Sequence, residues 1–168
     1  MNKNWPVLGT PNRVFLDEAV KAAQQCEREI GVPTCITLAQ AILESAWGTH
    51  HAGAANNYFG IKAGPGWTGR KMALMTKEHS DEKGWFTVSQ DFRAYRTMGE
   101  SFADHGKFLK VNKRYASLFK LARTDYKNWA KGLQEAGYAT DPTYAAQLVE
   151  IIERYGLQFY NLPSSDKQ

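Results

Sequence analysis

The residues best placed to do chemistry are gathered in two neighbouring stretches of this chain. Ala39-Gln40-Ala41-Ile42-Leu43-Glu44-Ser45-Ala46-Trp47-Gly48 ends an apolar helical run on one carboxylate, and Asn57-Tyr58-Phe59-Gly60-Ile61-Lys62 follows in a Gly- and Asn-rich loop. A carboxyl surrounded by hydrocarbon has its pKa raised, because burial disfavours the charged form. Such a group keeps its proton near neutral pH and can deliver it to a departing oxygen as a general acid. The competing reading of Glu44 is a half-exposed surface glutamate, where most Glu residues sit.

Several other chemistries find no support. His50-His51 lacks metal-ligand spacing, since adjacent side chains diverge, and no HExxH run accompanies it, so no metal is assigned. Gly64-Pro65-Gly66 lacks the Lys-Ser/Thr that completes a phosphate loop, and no cofactor is expected. Cys26 and Cys35 flank the turn at Gly31-Val32-Pro33. They could bridge it or stay as two half-buried thiols; without a histidine partner neither reads as a nucleophile.

A set of helices and one β region must hold the acid and its loop. Thr10-Pro11 opens a helix with Val14, Phe15, Ala19, Ala22, Ala23, Cys26 and Ile30 at helical spacing, ending at Gly31. Thr34 opens a second, apolar nearly all round and therefore central, with Glu44 on its last turn. Lys71 to Glu78 and Trp85 to Tyr95 read as two strands joined by the polar turn His79-Ser80-Asp81-Glu82-Lys83-Gly84. Thr97 with Glu100 forms a capping box for a helix through Phe102, Phe108 and Leu109. Asp125 opens a helix ended by Gly137, and Asp141-Pro142 opens one that stops at Gly156. The tail around Pro163-Ser164-Ser165-Asp166 is expected to be loose. One α+β domain spanning 1–168, with a core at about 12–160, is the expected organisation.

The 21 Lys and Arg against 17 Asp and Glu leave a formal charge of +4, which suits an acidic partner such as a cell wall, a nucleic acid or an anionic membrane. No Arg-rich run, zinc-finger spacing or helix-turn-helix pattern favours nucleic acid. No apolar run is long enough to span a bilayer, and Met1-Asn2-Lys3-Asn4-Trp5-Pro6 leads into no apolar secretory segment.

The two opening stretches resemble the bacterial glucosaminidases of glycoside hydrolase family 73. Further matches follow in order: Trp67-Thr68-Gly69, Thr76-Lys77-Glu78, Phe92-Arg93-Ala94-Tyr95, Ser101-Phe102-Ala103-Asp104-His105 and Ala136-Gly137-Tyr138-Ala139-Thr140-Asp141-Pro142-Thr143-Tyr144-Ala145. The resemblance implies a predominantly helical, lysozyme-like fold, with a helical lobe, a small β-hairpin lobe and a cleft between them. It implies cleavage of the β-1,4 bond after N-acetylglucosamine in peptidoglycan. Glu44 would then be the general acid and Glu78 a second carboxylate that activates water or stabilises an oxocarbenium-like transition state, with Asp81 and Glu82 as substitutes. Tyr138 matches a family tyrosine near the cleft, able to orient the substrate's acetamido group; packing beside Gly137 is its alternative.

Asn57, Tyr58, Phe59 and Trp67 are the candidate sugar contacts, through aromatic stacking and amide hydrogen bonds. Phe59 and Trp47 could equally be core. Asp104 matches a family acid, but anchoring its helix is the expected role. The resemblance leaves a lytic transglycosylase or a muramidase as neighbouring readings, and a catalytically silent wall-binding module as one of another class. Peptidoglycan strands are the expected partner and a monomer the expected state. The expected site of action is the periplasm or wall, reached without a signal peptide as a phage lysin or secreted effector would be.

Overall fold

The computed structural model describes residues 8–50 and 55–163. The expectations for the leader at Met1–Pro6, for His51 and for the tail at Ser164–Asp166 lie outside the described residues.

Five α-helices form one lobe: α1 (Thr10–Glu29), α2 (Thr34–Ser45), α3 (Met98–Val111), α4 (Tyr126–Glu135) and α5 (Tyr144–Tyr155). Two 3-10 segments, Lys113–Lys120 and Leu157–Tyr160, complete it. Every residue of α2 from Thr34 to Ile42 is buried, with α1 and α5 packed against it, so α2 is the central helix. Helix α1 turns Phe15, Leu16, Ala19, Ala23 and Cys26 inward at helical spacing. Val14 departs from the expected stripe and is exposed, because Phe15 and Leu16 already fill the inward arc on that turn.

The second lobe is an antiparallel hairpin of β1 (Lys71–Ser80) and β2 (Gly84–Arg93). Both strands run closer to the turn than expected, leaving Asp81-Glu82-Lys83 as a three-residue loop between the paired Ser80 and Gly84. Gly84 closes it at φ +66°, a conformation that costs glycine nothing. The hairpin is tied to the body on one side by Ala63 N–H to the Asp91 carbonyl (2.8 Å) and Arg93 N–H to the Ile61 carbonyl (3.0 Å). On the other, His79 N–H donates to Thr140 Oγ1 at 3.0 Å.

Local signals place the helix ends. Thr97 Oγ1 accepts from Glu100 N–H at 3.1 Å, while Glu100 reaches back to Arg96 N–H at 2.9 Å. Asp125 caps α4 through Asn128 N–H. Asp141 sits one turn ahead of α5, accepting from Thr143 N–H (2.8 Å), Thr143 Oγ1 (2.7 Å) and Gln147 Nε2 (2.9 Å). The helix proper therefore begins at Tyr144, later than Asp141-Pro142 suggested. Asp104 on α3 accepts from Arg93 Nη1 (2.9 Å) and from the Tyr95 hydroxyl, anchoring the helix to the end of β2.

Cys26 and Cys35 are free and buried, deeper than half-buried. Burial pushes both thiols up to about 12, so they stay protonated and unreactive. Trp47 packs edge-on against Phe15 (6.4 Å) and Tyr155 (4.9 Å), on the core side of the α2 terminus.

Candidate active site

A groove of about 530 Å³ lies between the lobes, with Glu44, Glu78 and Tyr138 all on its walls. Three elements distant in sequence bring them there. Glu44 is on the last turn of α2, which stops because Ala46 and Trp47 take left-handed backbone conformations (φ 47° and 59°). Glu78 is on β1, on the face where residues alternate into partial burial. Tyr138 follows the Gly137 turn after α4, with its N–H returned to the Leu133 carbonyl at 3.0 Å.

Glu44 lies across Gly60. A Cβ at Gly60 would come within 3.0 Å of Glu44 Oε2, and the residue's φ of +66° also favours glycine, so this loop position gives the carboxyl its room. Burial pushes the Glu44 carboxyl up to about 7; the charges of Glu78 and Asp141 push the same way, and Lys62 opposes them. Because the folded value exceeds the ordinary 4.5, folding binds the proton more tightly. The stabilising contribution is complete below about 4.5 and is lost as pH rises through about 7. The difference in unfolding free energy between the native chain and Glu44→Gln is expected to shift across that window in favour of Gln. Denaturant titrations at a series of pH values check this, and a flat difference would contradict it.

Glu78 is fixed through both oxygens. Lys62 Nζ approaches Oε1 to 2.6 Å, and Thr140 Oγ1 donates to Oε2 at 3.0 Å. Asp81 and Glu82 stand exposed on the turn and do not line the groove. The Tyr138 hydroxyl donates to the Phe59 carbonyl at 3.2 Å, and its ring stacks on Tyr144 at 5.6 Å. Burial pushes its pKa well above the ordinary tyrosine value, so it remains a hydroxyl. Behind it, Gln40 Nε2 donates to the Tyr144 hydroxyl at 3.0 Å.

Of the expected sugar contacts, Phe59 borders the groove while Asn57, Tyr58 and Trp67 do not line it. Asn57 is buried: its Nδ2 donates to the Ile61 and Arg93 carbonyls (2.9 Å each), and its Oδ1 accepts from Phe59 and Ile61 N–H. It satisfies the backbone of the loop that carries Gly60, which leaves its amide nothing for a ligand. Tyr58 turns inward between Phe15 and Phe102. The Phe59 ring stacks on buried His105 at 3.9 Å, inside the core. Trp67 lies under the Arg93 guanidinium (4.4 Å) and donates from Nε1 to the Arg70 carbonyl, outside the groove lining. Aromatics in a Gly-rich loop are as useful for pinning the loop as for stacking on a ring.

Lys62, Thr140, Tyr144 and Gly60 are among the groove residues to which the sequence assigned no role. Gln40 lies four residues before Glu44 on one helix face, a spacing that signals its place beneath the acid. Among the described residues, no cluster of His, Cys, Asp and Glu could hold a metal ion.

The chain that carries this groove is similar to known proteins. The family model described as mannosyl-glycoprotein endo-beta-N-acetylglucosaminidase matches residues 20–157. This chain belongs to the glucosaminidase family. It is 34% identical over 144 residues to the peptidoglycan hydrolase FlgJ of Vibrio parahaemolyticus, a match covering 83% of this chain and 46% of that one. It is 38% identical over 153 residues to the exo-glucosaminidase LytG of Bacillus subtilis, covering 89% and 53%. The chain thus spans about half the length of the curated relatives it matches. The crystal structure of a peptidoglycan hydrolase mutant from Sphingomonas sp. A1 superposes with a TM-score of 0.78 at 33% identity, covering 88% of this chain and 97% of that one. The predominantly helical, lysozyme-like α+β fold is therefore that of the glucosaminidase family.

Proposed function

We propose that this chain is a peptidoglycan hydrolase that cleaves the β-1,4 bond after N-acetylglucosamine, with residues 12–160 as its catalytic domain. The observation that carries the reading is the Glu44 carboxyl, held over Gly60 beside an inter-lobe groove and shifted to about 7. In this mechanism Glu44 gives its proton to the glycosidic oxygen as the C1–O bond breaks. The positive charge that builds on the sugar ring faces Glu78. That carboxylate, braced by Lys62 and Thr140, activates the water that attacks C1. Tyr138 keeps its proton and borders the same space, where its oxygen steers the acetamido group. Relatives of this chain that are named peptidoglycan hydrolase support the same substrate. The chain works as a monomer in the periplasm or wall.

Mass spectrometry of digested peptidoglycan tests the assignment. N-acetylglucosamine at the new reducing ends is expected. 1,6-Anhydro-muramic ends would make the chain a lytic transglycosylase, and muramic acid at the reducing end a muramidase. Glu78→Gln is expected to slow release of soluble glycan by about 10²-fold. A rate near that of the unsubstituted chain would transfer the second role to the substrate's own acetamido oxygen.

A further inference from the structure

Three cations line the groove: Lys62, Lys77 and Arg114. Lys62 is committed to Glu78 at 2.6 Å. Among the described residues, neither Lys77 nor Arg114 has a carboxylate partner. They stand on opposite lobes, Lys77 on β1 and Arg114 on the 3-10 segment Lys113–Lys120.

Arg114 is also held in place. Its guanidinium lies over the Tyr115 ring at 4.9 Å, and Nη1 donates to the Ala136 carbonyl at 3.4 Å. One such bond leaves most of its five N–H groups open to the groove. The acids nearby offset the charge of the groove only in part, and none pairs with Lys77 or Arg114. Glu78 is matched by Lys62; Asp141 stays ionised, its oxygens taken up by Thr143 and Gln147, but it forms no ion pair with either cation. Glu44 is about half ionised at neutrality and uncharged well below it.

Two unmatched cations on facing walls suit a substrate with negative charge on its branches. A chain of N-acetylglucosamine alone carries none. A muramic-acid residue carries a 3-O-lactyl group whose carboxyl is either free or amide-linked to a peptide with carboxylates of its own. We infer that Lys77 and Arg114 are specificity residues that receive a carboxylate borne on the muramic branch, an inference that rests on the glucosaminidase reading above. The groove then selects substituted wall glycan over neutral glycan by charge, and Lys62 stays with Glu78.

Binding of the full chain carrying Glu44→Gln, which holds glycan without turning it over, tests this. Three soluble glycans are compared: one bearing peptide stems, one stripped to the free lactyl carboxylate, and one stripped and converted to the neutral methylamide. The background is expected to bind anionic glycan about tenfold more tightly than neutral, the sum of two partly exposed ion pairs. Adding Lys77→Gln and Arg114→Gln removes that advantage and leaves the affinity for neutral glycan in place. Arg114→Lys restores part of it, and raised salt erodes it. An advantage on both anionic glycans assigns the lactyl carboxylate; one confined to the stem-bearing glycan assigns the peptide. The inference is overturned if the background binds all three alike, or if the double substitution weakens neutral glycan equally. Lys77→Gln alone, at an exposed strand position, reads the same discrimination should Arg114→Gln loosen the Ala136 turn. Cleavage of the three glycans by the unsubstituted chain is scored separately. Intact charge discrimination without cleavage would sink the hydrolase reading, and cleavage without discrimination would sink this one.

Discussion

Glu44→Gln is expected to reduce clearing of a peptidoglycan suspension by about 10²–10⁴-fold while pelleting with the wall persists. Gln has the shape of Glu and fits the same space over Gly60, so the groove keeps its form. What disappears is the proton that the departing oxygen needs. The substitution therefore separates binding from bond breaking more sharply than any other in the chain. Turbidity loss and wall pelleting, measured on the same preparation, read the two quantities. Unchanged clearing would mean that the groove binds glycan without using this acid, the behaviour of a wall-binding module.

The largest effect on stability is expected far from the groove, at Glu27. Its side chain is fully buried on α1. Oε1 accepts from Thr34 N–H (3.0 Å), Thr34 Oγ1 (2.7 Å) and Leu162 N–H (3.0 Å), and Oε2 from Arg123 Nη1 (3.2 Å). One carboxylate thus ties the start of α2, the loop before α4 and the end of the described chain to α1. Glu27→Ala strands the buried Thr34 N–H, the part-buried Leu162 N–H and a cation, a loss of about 3–5 kcal/mol. The thermal midpoint should drop by about 6–20 °C, given about 2–4 °C per kcal/mol for a chain of this size. A shift under about 2 °C would show that water replaces these bonds at little cost.

The parts of this fold that could be read from sequence are those governed by neighbours along the chain. The apolar run from Ile36 to Leu43 foretold a buried α2 with Glu44 on its last turn, and Thr97 with Glu100 foretold the start of α3. Lys71 to Glu78 read as a strand, and the structure shows Thr76 and Glu78 on its partly buried face. The remainder depends on contacts between distant segments. Tyr138 and the Phe59 carbonyl are 79 residues apart, Gln40 and Tyr144 are 104 apart, and Thr140 and Glu78 are 62 apart. No local pattern encodes such pairs.

The inward placement of Asn57, Tyr58 and the Phe59 ring has a similar origin. Asn57 reads as a ligand-binding amide until four backbone bonds of its own loop are seen to use it. Tyr58 and Phe59 sit in a polar, Gly-rich context, yet the loop crosses the top of the core and drops both rings into it. The 3-10 segment Lys113–Lys120 shows no helical period, so neither its buried Tyr115 nor the Arg114 beside it was foreseen.

The central claim is that Glu44 holds a proton at neutral pH because of where α2 delivers it. A carbon-13 NMR titration of that side-chain carboxyl tests it most directly, with Glu44→Gln identifying the resonance. A midpoint near 7 is expected. A midpoint near the ordinary 4.5 would contradict it, leaving an ionised carboxylate with no proton to give at the pH where the wall is attacked.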